Sequence, residues 1–264
     1  MAEDVRVRSV VLTTGILEQL AAEKELGVSE LAERLGMHKS TVYRFLSTLK
    51  DLGYVRQNED STRYRLSYRI LELAGRILSG IDVRQAAHPV MERLAAATRE
   101  TIHLATLEQN EIIYIDKIDS NQPLRMHSYI GQKIPAYATA LGKVMLTWGP
   151  RQILDEMLAA GGLKRFTDNT IVDPAELRKE IETIRTQGYA EDREETVPGV
   201  RCLAAPIRDQ EAVTVAAISI SVPVLRFQEE QKGDWQKLVI EGALEISERL
   251  GCRRKSEASN PQGG

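Results

Sequence analysis

Cysteine is almost missing from this chain: two in 264 residues, Cys202 and Cys252, far apart in sequence. That excludes a disulfide framework and any CxxC redox or zinc pair. The four histidines, His38, His88, His103 and His127, form no HExxH motif and no cluster with both cysteines, so no metal site is expected. No apolar run approaches the roughly 18 residues of a membrane span. The first residues, Met1-Ala2-Glu3-Asp4-Val5-Arg6, carry both charges and no apolar signal core, so a cytoplasmic location is expected. Catalytic signatures are absent too. There is no GxSxG elbow, and Ala136–Val144 ends in Gly142-Lys143-Val144 without the leading glycine or the Ser/Thr of a phosphate loop. Neither an enzyme nor a cofactor is expected.

What is present is ordinary globular composition, 42% apolar and 28% charged, at a length that suggests two domains. The net charge of −3 hides an uneven distribution. Residues 37–69 carry seven Lys/Arg against three acids, while residues 81–264 carry 23 basic and 27 acidic residues. A local basic patch on an acidic body points to a polyanionic partner for the N-terminal part.

Apolar spacing predicts a helix over 8–22, with Val11, Leu12, Ile16, Leu17 and Leu20 on one face. A short second helix follows, with Ser29 as its cap and Gly36 ending it. A third runs from about Lys39 to Leu52, turning Val42, Phe45, Leu46 and Leu49 inward. Two alternating runs, 54–57 and 63–66, flank the turn residues 58–62 and read as a hairpin. A linker helix is expected over 68–79, with a stripe of Ile70, Leu71, Leu73, Ala74, Ile77 and Leu78. That stripe fits either core packing or dimerisation.

Beyond residue 84 a helix (86–99), strands at 102–107, 112–118 and 124–128, and helices at 139–146 and 151–158 are expected. Asp173-Pro174 opens another helix as cap and first-turn proline. Strands at 199–206 and 213–221 and a closing helix at 235–250 complete an α+β domain with a mostly antiparallel sheet. The expected division is 1–67, a linker at 68–83, 84–252, and a frayed tail at 253–264.

Two constellations carry chemistry. The first is the order helix, helix, helix, hairpin, with Ala32, Gly36 and Val42 at the small, turn and anchor positions of a helix–turn–helix. The outer face of its second helix carries Lys39, Ser40, Thr41, Tyr43 and Arg44, donors suited to phosphates and base edges in a major groove. Arg63 and Arg65 on the hairpin are expected to meet the DNA backbone. The alternative is a small protein-interaction domain with a solvated basic face.

The second is a candidate polar pocket. In Ile218-Ser219-Ile220-Ser221-Val222 the serines share one strand face. They either face water or line a pocket. Cys202 and Arg201 lie on opposite faces of their strand, and the thiol fits either pocket or core. Asp192 sits in an expected loop, and Arg125 and His127 share a face of the expected strand 124–128. The helix start near Ala140 offers backbone N–H groups to an oxyanion.

Lys39-Ser40-Thr41-Val42-Tyr43-Arg44-Phe45-Leu46, Leu52-Gly53-Tyr54-Val55, Tyr64-Arg65-Leu66, Ala140-Leu141-Gly142-Lys143, and Glu194-Glu195 followed by Gly199-Val200-Arg201-Cys202-Leu203-Ala204-Ala205-Pro206 together resemble the IclR family of bacterial transcriptional regulators. The resemblance spans residues 5–252. It implies a winged helix–turn–helix domain, a linker helix and a GAF-like effector domain. It also implies dimers, commonly paired into tetramers, on palindromic double-stranded operators. Small organic acids would bind at Ala140, Leu141, Asp192, Cys202, Ser219 and Ser221, with Ala140-Leu141 where some members have Gly-Ala. Residues 100–104, 114–120 and 124–126 are similar to members that repress pectin and hexuronate catabolism and respond to 2-keto-3-deoxygluconate. On that reading Arg125 or Arg201 meets the carboxylate and the serines meet the hydroxyls. The rival readings are a regulator of the same family serving another carboxylate or sugar-acid pathway, a ligand-independent DNA-binding oligomer, and an enzyme or metabolite sensor with a helix–turn–helix-like bundle.

Overall fold

The computed structural model describes residues 7–79 and 82–252, which form two compact units. The expected tail at 253–264 lies outside the described residues. No described helix is long and apolar enough to cross a membrane.

The first unit contains α1 (Arg8–Ala22), α2 (Val28–Arg34), α3 (Lys39–Asp51), the hairpin strands β1 (Val55–Gln57) and β2 (Tyr64–Leu66), and α4 (Arg69–Ser79). Ile16, Leu31, Val42 and Leu46 are fully buried in its centre. Burial of side chains this size contributes about 1.5–3 kcal/mol each. The cap of α2 differs from expectation. Gly27, not Ser29, precedes the helix, and the Glu30 carboxylate accepts the Gly27 N–H at 2.7 Å. Gly36 turns the chain at φ +61°, a backbone that favours glycine, and the Met37 N–H bonds back to Ala32 O. β2 has an unforeseen second neighbour, since Leu26 and Tyr64 exchange backbone hydrogen bonds. The start of α4 is tied to the hairpin by Arg69 over the Tyr54 ring and Arg56 over the Tyr68 ring. Of its stripe, Leu71 and Leu73 are exposed, and the side chains of Ile77 and Leu78 lie outside the described ones.

The second unit is built on one six-stranded antiparallel sheet in the order β5-β4-β3-β8-β7-β6. Its strands are β3 (Thr101–Glu108), β4 (Glu111–Ile118), β5 (Lys133–Pro135), β6 (Ala190–Arg193), β7 (Val200–Arg208) and β8 (Thr214–Pro223). Helices α5 (Asp82–Thr98) and α9 (Glu229–Arg249) cover one face, closing a core of Ile102, Leu104, Leu203, Ile218, Ile220 and Val239. Helices α6 (Ala140–Trp148), α7 (Arg151–Ala160) and α8 (Pro174–Gln187) cover the other. Asp173 caps α8 as expected, accepting the N–H groups of Ala175 and Glu176.

Several expectations are corrected. Residues 124–128 are a loop rather than a strand, since they pair with no neighbouring strand and β4 meets β5 only at residues 133–135. Asp192 lies in strand β6, paired with Cys202, rather than in a loop. Helices α5 and α9 begin earlier than expected, their polar first turns hiding the start from an apolar-period reading.

The first turn of α6 presses on a 3₁₀ turn at Ala136–Ala138. A β-carbon at Gly142 would stand 2.1 Å from Ala136 O. Gly142→Ala should therefore cost about 1–3 kcal/mol of stability, the usual range for overpacking, in a denaturant titration of the intact chain. An unchanged midpoint would show that α6 has room to move away.

Candidate functional site

On the first unit, α3 presents Lys39, Ser40, Tyr43 and Arg44 to solvent, with Thr41 half-buried. No acid pairs with Lys39 or Arg44 among the described residues. The buried side of the same helix (Val42, Leu46, Leu49) fixes its orientation. The wing arginines are differently placed. Arg63 reaches Glu30 at 2.8 Å and the Glu25 carbonyl at 3.1 Å, and Arg65 faces Glu25 at 3.7 Å. Asn58 on the wing also donates to Glu25, holding that carboxyl below its usual range. Arg63 and Arg65 thus brace the wing against α2 and the segment before it.

In the second unit, sheet register assembles a polar row across four strands. Asp192 pairs with Cys202, Cys202 with Ser221, and Ser221 with Thr101. The next row on that face is Ala190, Ala204, Ser219 and His103. Its alanines leave space above the strands. A small cavity of about 20 Å³ lies there, roughly enough for one water. Thr139, Asp192, Thr196, Cys202, Ser219 and Ser221 form its polar wall, and Tyr114, Met126, Ile134, Val197 and Val200 its apolar one. The first residues of α6, Ala140 and Leu141, complete it.

Backbone geometry makes the α6 end a donor. Thr139 caps the helix by accepting the Gly142 N–H at 3.0 Å, which leaves the N–H groups of Ala140 and Leu141 without a partner among the described residues. The Ser219 hydroxyl is buried in the cavity wall and unpartnered. Buried hydroxyls are nearly always bonded, so this one is available to something that enters.

No lysine, arginine or histidine lines the cavity. Lys143, fully buried one helical turn along α6, is engaged by Glu195 at 2.6 Å and Glu180 at 3.3 Å. Burial pushes the Asp192 carboxyl up to about 7; the Glu195 N–H bond at 2.7 Å opposes this, and the Glu195 charge adds to it. Asp192 therefore holds a proton part of the time near neutral pH. Burial, reinforced by Asp192, also raises the Cys202 thiol, which stays protonated with Sγ 3.3 Å from the Ser221 hydroxyl.

Two expected ligand residues stand elsewhere. Arg201 lies on the opposite sheet face, in ion pairs with Glu191 and Glu229 and 3.7 Å over the Phe227 ring. Period-two alternation puts it there once Cys202 faces the cavity. Arg125 is exposed on its loop and does not line the cavity, although its neighbour Met126 does. The cavity residues Tyr114, Thr139, Thr196 and Met126, with His103 behind them, were missed. A register irregularity between Leu104 and Ala105 turns Tyr114 to the cavity face and Asp116 toward α5, a phase change invisible in the sequence.

A winged helix–turn–helix unit joined to a unit with a buried polar cavity defines a one-chain DNA-binding regulator. The chain belongs to the IclR family: residues 9–59 match the IclR helix–turn–helix domain and residues 75–248 the bacterial transcriptional regulator IclR C-terminal domain. It is 44% identical to the HTH-type transcriptional regulator KdgR of Dickeya chrysanthemi over 93% of this chain and 80% of that one. The Thermotoga maritima IclR structure superposes with a TM-score of 0.77 at 34% identity, covering 92% of this chain and 97% of that one. An IclR homologue from Microbacterium hydrocarbonoxydans, complexed with 4-hydroxybenzoate, superposes with a TM-score of 0.80 at 25% identity, covering 92% and 98%.

The raised Asp192 carboxyl has a signed consequence. The unfolded chain releases this proton near pH 4, the folded chain only at about 7, so stability from this group falls between those values and is level above them. Asp192→Asn should raise the thermal midpoint at pH 8, with a smaller gain at pH 5. Equal gains at both pH values would assign Asp192 an ordinary carboxyl.

Proposed function

We propose that the chain is a repressor that binds palindromic operator DNA as a dimer or pair of dimers and is released by a small hydroxylated acid of the 2-keto-3-deoxygluconate type. The observation that carries the effector reading is the cavity wall itself. Two free N–H groups at the start of α6, the unpartnered Ser219 hydroxyl and a carboxyl that is part-protonated near neutral pH face one enclosed space. In this reading the N–H groups of Ala140 and Leu141 take the carboxylate at the positive end of the helix dipole. Ser219, Ser221 and Asp192 take the keto and hydroxyl oxygens, and Cys202 packs as neutral wall.

The cavity is far smaller than a six-carbon acid, so binding displaces Met126 and Val197, the half-exposed and exposed apolar side chains on its outer side. Lys39, Ser40, Thr41, Tyr43 and Arg44 enter the major groove. Arg63 and Arg65 brace the wing and reach phosphates with their remaining N–H donors. The exposed Leu71 and Leu73 on α4 and Val10 and Val11 on α1 supply apolar surface for a second copy.

The 4-hydroxybenzoate held by a structural relative favours a second reading, an acid of another pathway. Titration of the protein onto DNA from its own promoter region separates them. Release by 2-keto-3-deoxygluconate supports the first reading. Release by a different acid, with indifference to this one, supports the second. Lys39→Ala with Arg44→Ala should weaken specific operator binding by at least about tenfold and leave effector binding intact. A normal footprint from this variant would remove α3 from the interface. Ser219→Ala should raise the effector concentration needed for release by about tenfold, one ordinary hydrogen bond, with DNA affinity unchanged. An unchanged release curve would remove Ser219 from the effector site.

A further inference from the structure

One buried histidine stands directly behind the cavity wall. His103, fully buried on β3, has Nδ1 at 3.1 Å from the Ser221 hydroxyl and Nε2 at 2.8 Å from the Ser128 hydroxyl. Its ring stacks on Tyr114, centroids 4.4 Å apart, which fixes the imidazole plane. Burial, with the nearby Lys117 charge, drives the imidazole down to about 3, so it is neutral at working pH. A neutral imidazole has one donor and one acceptor nitrogen, so one serine receives a proton from it and the other gives one. A polar chain thus runs from Cys202 through Ser221 and His103 to Ser128.

The loop between β4 and β5 is fastened at Ser120, whose hydroxyl donates to the Arg99 carbonyl, at Gly131, whose N–H donates to the Tyr114 carbonyl, and between them at Ser128. Among the described residues nothing hydrogen-bonds to residues 123–127, the stretch that carries Met126 to the cavity. At its far end Ser128 is held twice, by its hydroxyl on His103 and by its carbonyl, which accepts from the Lys117 ammonium at 2.6 Å.

We propose that His103 is a positioning residue that holds the Ser221 hydroxyl toward the cavity and, through Ser128, pins the Met126 loop across the cavity's outer side. It touches no ligand itself. Because one side chain makes both bonds, the hydrogen bond offered by Ser221 and the closure of the loop are coupled. A ligand oxygen that reorients the Ser221 hydroxyl loosens or tightens the loop. This rests on the cavity being the effector site.

The test has two independent parts, both on the intact chain. The first needs no ligand. Arg125 is exposed, so tryptic cleavage after it reports opening of the loop. His103→Phe, which keeps the ring stack, and Ser128→Ala, which removes a single hydroxyl, should each speed this cut several-fold while other tryptic sites keep their rates. Unchanged cleavage in both variants overturns the inference. If His103→Phe does not fold, Ser128→Ala still decides it. The second part is a double-mutant cycle on 2-keto-3-deoxygluconate affinity. His103→Phe should weaken binding about tenfold in the wild-type background and by clearly less once Ser221→Ala is present, the remainder coming from the Ser128 bond. Equal losses in both backgrounds would mean that His103 does not act through Ser221. Failure of the wild-type protein to bind this acid would sink the sugar-acid reading, leaving the cleavage rates to judge the inference.

Discussion

The second unit depends on the phase of a single central strand. β8 alternates Ile218, Ile220 and Val222 with Ser219 and Ser221, and every one of these side chains is buried. The apolar set closes the core under α5 and α9, while the serines face α6. A slip of one residue would drive hydroxyls into that core and isoleucines into the cavity. The same alternation in β7 sends Cys202 to one side and Arg201 to the other. Cavity and core are therefore two outcomes of one register.

The cavity's electrostatics follow from where its cations are spent. Lys143 is committed to Glu195 and Glu180, and Arg201 to Glu191 and Glu229. Breaking the buried Lys143 pair would leave a stranded charge, and Arg201 lies on the other face of the sheet, so neither cation serves the cavity. On the effector reading proposed above, recognition would fall to helix N–H groups, hydroxyls and a part-protonated carboxyl. Neutral donors in fixed directions discriminate between arrangements of oxygen better than a flexible ammonium does. That suits an acid distinguished from its relatives by hydroxyl placement.

Much of the fold was legible because its signals are local. The α3 stripe, the turn at Gly36 and the Asp173-Pro174 cap can each be read within a few residues. The serine face of β8 was legible for the same reason. What escaped depends on distant pairing or on a change of phase. Tyr114 turns to the cavity only because β4 is irregular opposite Leu104 and Ala105. Residues 124–128 alternate like a strand but find no ladder partner. His103 sits in an apolar run and looks like any core residue until Ser221 and Ser128 are brought to its two nitrogens. Arg125 and Arg201 were chosen for their charge, the property that keeps one in solvent and the other in ion pairs.

If the effector binds where proposed above, the smallness of the cavity sets the tempo of the response. A cavity of about 20 Å³ has room for about one water, so a six-carbon acid enters only if the outer wall moves. Molecules of effector that arrive between openings leave again, so capture runs no faster than the loop opens, whatever the concentration outside. Apparent affinity is reduced by the fraction of time the wall stands open. Sensitivity and response time then become tunable from residues that never touch the effector, by changing how firmly the wall is held.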